Sequence, residues 1–290
     1  MQIKFAHTRY VYDSYVDMRA LINLSGIGQC YIDEIRPYED IIYIVYCING
    51  EFRPHIDNHR SESKKAKICY WALERPCGEP KNEKQKQDEF IAGNLELLNK
   101  GYIDEVWFSD RNTATYHKDP RAIFMPMGSD TNIFQGPKAW EISNKRYDYI
   151  YLSYLTHRRS LVLDRLKENF KMRERTNCWG NEREEGLRNS KFLINIHQDV
   201  HPMSEPVRLA LAAAAGIPVI SETIQDPFPM VPNEHFIQGP WSDLLTIIKT
   251  QHTKNYHPLM EMGKKLHNLL CNDYKFGKSI KEHCAKWTNT

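Results

Sequence analysis

No stretch of this chain approaches the roughly 20 consecutive apolar residues that a bilayer-spanning helix needs. No Cys-x-x-Cys pair occurs among its seven cysteines, Cys30, Cys47, Cys69, Cys77, Cys178, Cys271 and Cys284. An odd, scattered set argues against a disulfide framework and against a cysteine-built zinc site, and fits a reducing compartment. A Gly-x-Ser-x-Gly elbow, a P-loop, a His-Glu-x-x-His helix and a complete Gly-x-Gly-x-x-Gly are all missing, which speaks against a serine hydrolase, a P-loop NTPase, a zincin and a dehydrogenase. Charge of one sign is missing too. The net charge of +2 makes no global electrostatic demand for nucleic acid or membrane. There is no repeat at solenoid spacing and no low-complexity tract. Met1-Gln2-Ile3-Lys4-Phe5 enters a strand-like segment rather than a signal peptide, and the sequence reads as cytoplasmic.

What is present suits a soluble globular protein: 290 residues, 41% hydrophobic and 26% charged. That length favours two domains. Ile3–Ala6, Ile41–Ile48, Lys67–Trp71, Glu105–Ser109 and Ala122–Met125 read as strands. The near-continuous β-branched and aromatic run IIYIVYCI at Ile41–Ile48 predicts a strand covered on both faces, as in parallel sheets. Arg9–Leu24 and Phe90–Lys100 read as helices, and the charged segment Glu79–Glu89 as a solvated loop or helix face. The pattern then restarts. Tyr147–Ser153, Lys191–His197 and Ile217–Ser221 read as strands. His157–Phe170, Pro206–Ala215, Trp241–Thr250 and His257–Cys271 read as helices. Strands alternating with helices twice over predict two βαβ-type domains, with a boundary in the Pro-, Gly-, Asn- and Asp-rich stretch Met125–Asn144.

Open α/β sheets bind ligands at the carboxyl ends of their strands, so the loops after Ser153, His197 and Ser221 are the places to look for chemistry. In Ser204-Glu205-Pro206-Val207-Arg208 a helix begins just after such a loop. Its free N–H groups and positive dipole end face the cleft, with Pro206 at an early position where a missing N–H costs little. Arg208 adds a forked cation able to grip phosphate, and Glu205 a carboxylate able to accept from ribose or sugar hydroxyls. The plainer reading makes Glu205 a helix cap and Arg208 the partner of a surface carboxylate. Arg158 and Arg159 open the helix after Ser153. Cations there oppose the helix dipole unless an anion compensates; otherwise they are two solvated basic residues. His197-Gln198-Asp199-Val200-His201 and His55-Ile56-Asp57-Asn58-His59 invite a metal reading, but no further metallohydrolase signature accompanies them. Glu74, in a loop after a first-half strand, is either a base or acceptor-orienting group or a partner of Arg75. Gly26 and Gly28 either bring backbone close to a ligand or make a plain turn.

Four segments, in order, carry a resemblance: Asp104-Glu105-Val106-Trp107-Phe108-Ser109; Met125-Pro126-Met127-Gly128-Ser129-Asp130 through Phe134; Ser190-Lys191-Phe192-Leu193-Ile194-Asn195-Ile196-His197; and Glu205-x-x-Arg208 followed by the Ala-rich helix and Gly216-x-Pro218-Val219-Ile220-Ser221-Glu222. Together they resemble GT-B glycosyltransferases, nearest the CgeB-like or glycosyltransferase group 1-like branch. The resemblance implies a compact α/β protein of two facing Rossmann-like, doubly wound domains. Residues 1–125 form the acceptor side, 126–144 a linker, and 145–290 the nucleotide-sugar domain with terminal helices. It implies a metal-independent transferase moving a sugar from a nucleotide-diphosphate sugar, UDP-sugar favoured, to a hydroxyl acceptor. No cofactor or bound metal is implied, in keeping with the lack of an Asp-x-Asp triplet.

On that resemblance Arg158, with Arg159 as understudy, and Arg208 hold the donor phosphates beside Ser204, Glu205 and Pro206. His197, Asp199 and Glu74 are the catalytic candidates, and Gly26 and Gly28 lie on the acceptor side. Leu211 stands where many relatives carry a ribose-binding glutamate. The acceptor stays open among polysaccharide, protein, small molecule and a hydroxylated nucleic-acid base, with basic segments such as Arg111–Arg121 suited to a polyanion. No membrane insertion is expected, and the chain reads as a monomer or homodimer. The rival readings are a sugar-nucleotide epimerase or hydrolase of the same fold, a non-catalytic binding module, and a metal-dependent hydrolase.

Overall fold

A computed structural model of the chain describes residues 1–46, 65–73, 83–175, 180–198, 205–253 and 256–288. The chain forms two compact units, one of Met1–Pro126 with Phe276–Thr290 and one of Met127–Lys275. The expected split placed all of 145–290 in the second domain and 126–144 between the two. Instead, residues 276–290 belong with the first unit, and the stretch from Met127 on belongs with the second. Phe276 accounts for part of this, because its ring stacks on Phe5 and Trp71 at 6.1 and 6.0 Å between centroids.

In the first unit β1 (Gln2–His7) is followed by α1 (Arg9–Ser14), α2 (Val16–Ser25), β2 (Gly28–Tyr31), β3 (Ile41–Tyr46) and β4 (Lys67–Ala72). Then come α3 (Glu83–Asn99), β5 (Glu105–Phe108), α4 (Arg111–His117) and β6 (Ala122–Phe124). The strands make a parallel six-stranded sheet in the order β2-β1-β3-β4-β5-β6. All six residues of β3 are buried, as its apolar run predicts. The single helix expected over Arg9–Leu24 is two, broken at Tyr15, whose φ of −102° and ψ of 62° are not helical.

The second unit runs β7 (Tyr147–Leu152), α5 (His157–Lys167), β8 (Met172–Arg175), α6 (Gly180–Arg188), β9 (Ser190–Asn195), α7 (Pro206–Ala215) and β10 (Val219–Glu222). It continues through β11 (Ile237–Gly239), α8 (Leu244–Thr253) and α9 (His257–Asn268), which passes into a π-helical turn over Leu269–Asp273. The five strands are parallel, in the order β11-β10-β9-β7-β8. Both sheets are doubly wound: the order reverses at β1/β3 in the first and at β7/β9 in the second, the switch points where such sheets leave a crevice. The last helix, α10 (Lys278–Thr288), returns to the first unit. Among the described residues no helix is long and apolar enough to cross a membrane.

Helix α7 owes its composition to its place. Leu209 through Ala215 are all buried, and Leu211, at 2% exposure, packs among Leu187, Leu193, Leu266 and Leu270. A side chain so enclosed is part of the core. The chain therefore presents no carboxylate at the position where the resemblance leads one to expect it.

Candidate functional site

The arginines singled out by the sequence converge at the carboxyl end of the second sheet. Thr156 caps α5, its hydroxyl accepting from the Arg159 N–H. This start sends Arg158 and Arg159 to different strand ends. Arg159 is 1% exposed. It spans the switch point, donating through Nε to Ile196 O at 3.1 Å beyond β9, and through Nη1 to Ser153 Oγ at 3.0 Å and Tyr154 O at 2.9 Å beyond β7. Its Nη2 donates to Glu205 Oε1 at 3.1 Å. Arg158 reaches the other way. It forms a two-pronged ion pair with Glu222 at the end of β10, donates to His197 O at 3.2 Å, and lies over the Trp241 ring.

Arg208 projects from the first turn of α7. It donates to Asn195 Oδ1 at the end of β9 and pairs with Glu205. Asn195 is fixed by its cross-strand neighbour, its amide donating to Ser221 Oγ at 2.9 Å. Arg159 and Arg208 each lie 5.8 Å from the centre of the buried Tyr151 ring. Burial, and then the nearby Arg208 charge, lower the Arg159 pKa. Burial raises the Tyr151 phenol against the pull of both guanidiniums. Among the described residues the cluster holds three guanidiniums against two carboxylates at the head of a helix, an arrangement that favours an anion.

His197 is buried. Its backbone N–H donates to Glu222 Oε2 at 3.1 Å, and its ring Nε2 donates to Thr223 O at 3.0 Å, an arrangement that locks the imidazole beside the cluster. Pro206 is the first residue of α7, and Glu205 precedes it without a side-chain bond to the helix. Glu222, Asn195, Ser221 and Trp241 were missed as candidates. Glu222 was within reach of inference, since it ends a strand of a parallel sheet where ligands bind.

Other expected site residues lie elsewhere. Gly26 closes α2 with φ of 66°, a left-handed cap. Gly28 pairs with Lys4 at the amino end of β2, opposite the carboxyl ends where His7 pairs with Tyr31. At that carboxyl end a small recess is lined by His7, Tyr12, Tyr15, Arg19, Gln29 and Tyr46, among others. His7 is buried beneath Tyr12, with ring centroids 4.7 Å apart, and burial lowers its pKa below the ordinary histidine value. Glu74, Asp199 and Ser204, and the His55–His59 set with His201, lie outside the described residues. Among the described residues no group of three or more His, Cys, Asp or Glu side chains is placed to hold a metal ion.

No protein-family profile matches the chain. Part of it is 34% identical over 132 residues to Uncharacterized protein L140 of Acanthamoeba polyphaga mimivirus, covering 44% of this chain and 43% of that protein. A 108-residue stretch is 32% identical to Uncharacterized protein L137 of the same virus, covering 36% of this chain and 15% of that protein. The match thus spans less than half the length of either relative. Solved structures are similar at low identity. Anabaena HepE in complex with UDP and glucose superposes with a TM-score of 0.59 at 10% identity, over 99% of this chain and 100% of that one. TarM gives 0.62 at 12% identity, over 93% of this chain and 58% of that one. An alpha-glucosyltransferase in complex with UDP and a 13-mer DNA containing an HMU base gives 0.56 at 10%, over 99% of each. These likenesses establish the fold, two doubly wound parallel-sheet domains of the GT-B kind.

Proposed function

We propose that this chain is a glycosyltransferase that takes a sugar from a nucleotide-diphosphate sugar, a UDP-sugar first among them, and places it on a hydroxyl acceptor. The observation that carries the reading is the convergence of Arg158, Arg159 and Arg208 with the head of α7 at the switch point of the second sheet. Fold neighbours whose structures contain UDP lend it support.

In this reading the second unit holds the donor. The bond between the anomeric carbon and the diphosphate oxygen breaks as the acceptor oxygen bonds to that carbon. Arg208, with Arg158 and Arg159 behind it, offsets the charge growing on the leaving diphosphate, so the residues themselves do the work that a metal ion does elsewhere. His197 and Asp199 are the groups assigned to contact the donor sugar, and Glu74 takes or directs the acceptor proton. The acceptor belongs to the first unit, where the carboxyl ends of β1 and β3 gather His7, Tyr12 and Tyr46. One fold neighbour is described with DNA bearing an HMU base, so a hydroxymethylated oligonucleotide heads the acceptor panel, ahead of polysaccharide, protein and small molecules.

A thermal-shift panel of UDP, GDP, ADP and divalent metals tests the donor half. UDP should raise the melting temperature, and Arg208→Ala should weaken UDP by at least about tenfold, the size of one lost charge-assisted hydrogen bond. Stabilisation by metal alone, with no nucleotide response, would sink the reading. Product mass after incubation with UDP-sugars and the acceptor panel then separates transfer from hydrolysis and from binding alone.

A further inference from the structure

We propose that Glu205 occupies the anion slot of the second unit with its own carboxylate, and that the ligand's diphosphate must displace it from Arg159 and Arg208. The inference rests on the nucleotide-sugar reading above and adds what the ligand has to replace.

Each arginine has two kinds of partner. Arg159 is held by Ile196 O, Ser153 Oγ and Tyr154 O, all on segments fixed by the sheet. Arg208 is held by Asn195 Oδ1, which Ser221 fixes in turn. Remove Glu205 and both guanidiniums keep these contacts and their direction. Glu205 is the exchangeable partner. Its side chain is 23% exposed, against 1% for Arg159 and 10% for Arg208. It sits on the residue before α7, with φ of −104° and ψ of 79°, and makes no capping bond to the helix. Its Oε1 accepts from Arg159 at 3.1 Å, and its Oε2 pairs with Arg208.

Charge favours the exchange. Among the described residues Arg158 is balanced by Glu222, whereas Arg159 and Arg208 share Glu205, which leaves one positive charge over at the head of a helix. A diphosphate supplies more charge and more acceptor oxygens to the same two forks than a carboxylate can. Glu205 therefore sets a threshold: weak monoanions do not displace it, whereas a diphosphate does.

Inorganic pyrophosphate is the probe, since it has no base, ribose or sugar through which Glu205 could help. Titration calorimetry on the full chain compares wild type, Glu205→Gln, Glu205→Ala and Arg208→Ala with pyrophosphate and with UDP. Circular dichroism confirms folding, and the alanine variant serves if the glutamine one fails to fold. With the competing charge gone, Glu205→Gln and Glu205→Ala should bind pyrophosphate about tenfold tighter than wild type, and Arg208→Ala more weakly. Unchanged or weaker pyrophosphate binding in both Glu205 variants, with UDP still bound by wild type, overturns this inference alone and makes Glu205 a positioning partner of Arg208. If no form of the protein binds either UDP or pyrophosphate, the nucleotide-sugar reading falls, and the inference falls with it.

Discussion

Glu222 is 6% exposed and accepts from both arms of Arg158 and from the His197 backbone N–H. Removing one member of such a pair strands the other, whereas replacing both with apolar residues of similar size is close to neutral. Glu222→Ala should therefore cost about 3 kcal/mol by denaturant titration, and Arg158→Met with Glu222→Leu should recover most of it. Equal damage in the single and double variants would mean that the pair contributes more than mutual neutralisation. Arg158, Arg159 and Arg208 were legible in the sequence because cations at a helix start need a reason. Their partners were not. Asn195 and Ser221 lie 26 positions apart in the chain and meet only because the β9/β10 register sets them side by side. Leu211, which stands where many relatives carry a ribose-binding glutamate, is a core residue.

Elements that are long, buried or strongly periodic could be read from the sequence: β3, β7, β9, α5 and α7 all lie where the apolar pattern puts them. Short polar ones could not. Helices α4 and α6 are seven and nine residues long and mostly hydrophilic, and β8 and β11 are brief edge strands, so no periodicity rises above their surroundings. The charged stretch near Glu83, expected as a loop or a solvated helix face, opens the 17-residue α3. At the other end of α7, Gly216 closes the helix with φ of 69°, and a β-carbon there would run into the Trp140 indole. Left-handed strain and overpacking add, so Gly216→Ala should lower stability by about 2–4 kcal/mol. Trp140→Ala in the same background should give part of it back, and the pair of melting curves checks this.

At the scale of the whole molecule, the chain's last helix is bound to the first unit by a buried carboxylate. Glu105, at the amino end of β5, accepts from His283 Nε2 at 2.7 Å and Trp107 Nε1 at 2.8 Å, and it pairs with Lys286. Burial alone would raise its pKa, but these partners overrule burial and hold it below the ordinary glutamate value. A carboxyl depressed in the folded state stabilises above its unfolded pKa of about 4.3 and loses that contribution as pH falls through the folded value. Melting temperature measured between pH 7 and pH 3 should therefore drop below about pH 4.3, and in Glu105→Gln that component of the drop should be missing. A variant whose acid profile matches wild type would remove Glu105 from the account. Truncation after Lys275 should destabilise the first unit and leave the second one's melting transition in place, since the second is continuous from Met127 to Lys275.

That discontinuity sets an order of events during synthesis. The first unit begins to emerge from the ribosome before the second, yet α10, which Lys281 ties to Ser25 O at 2.6 Å, is made only after everything to Lys275. The second unit can fold as soon as its own contiguous residues are free, while the sheet that started first waits with its Phe276 and α10 contacts unmade. Completion of the first unit therefore depends on residues that are translated after the whole of the second.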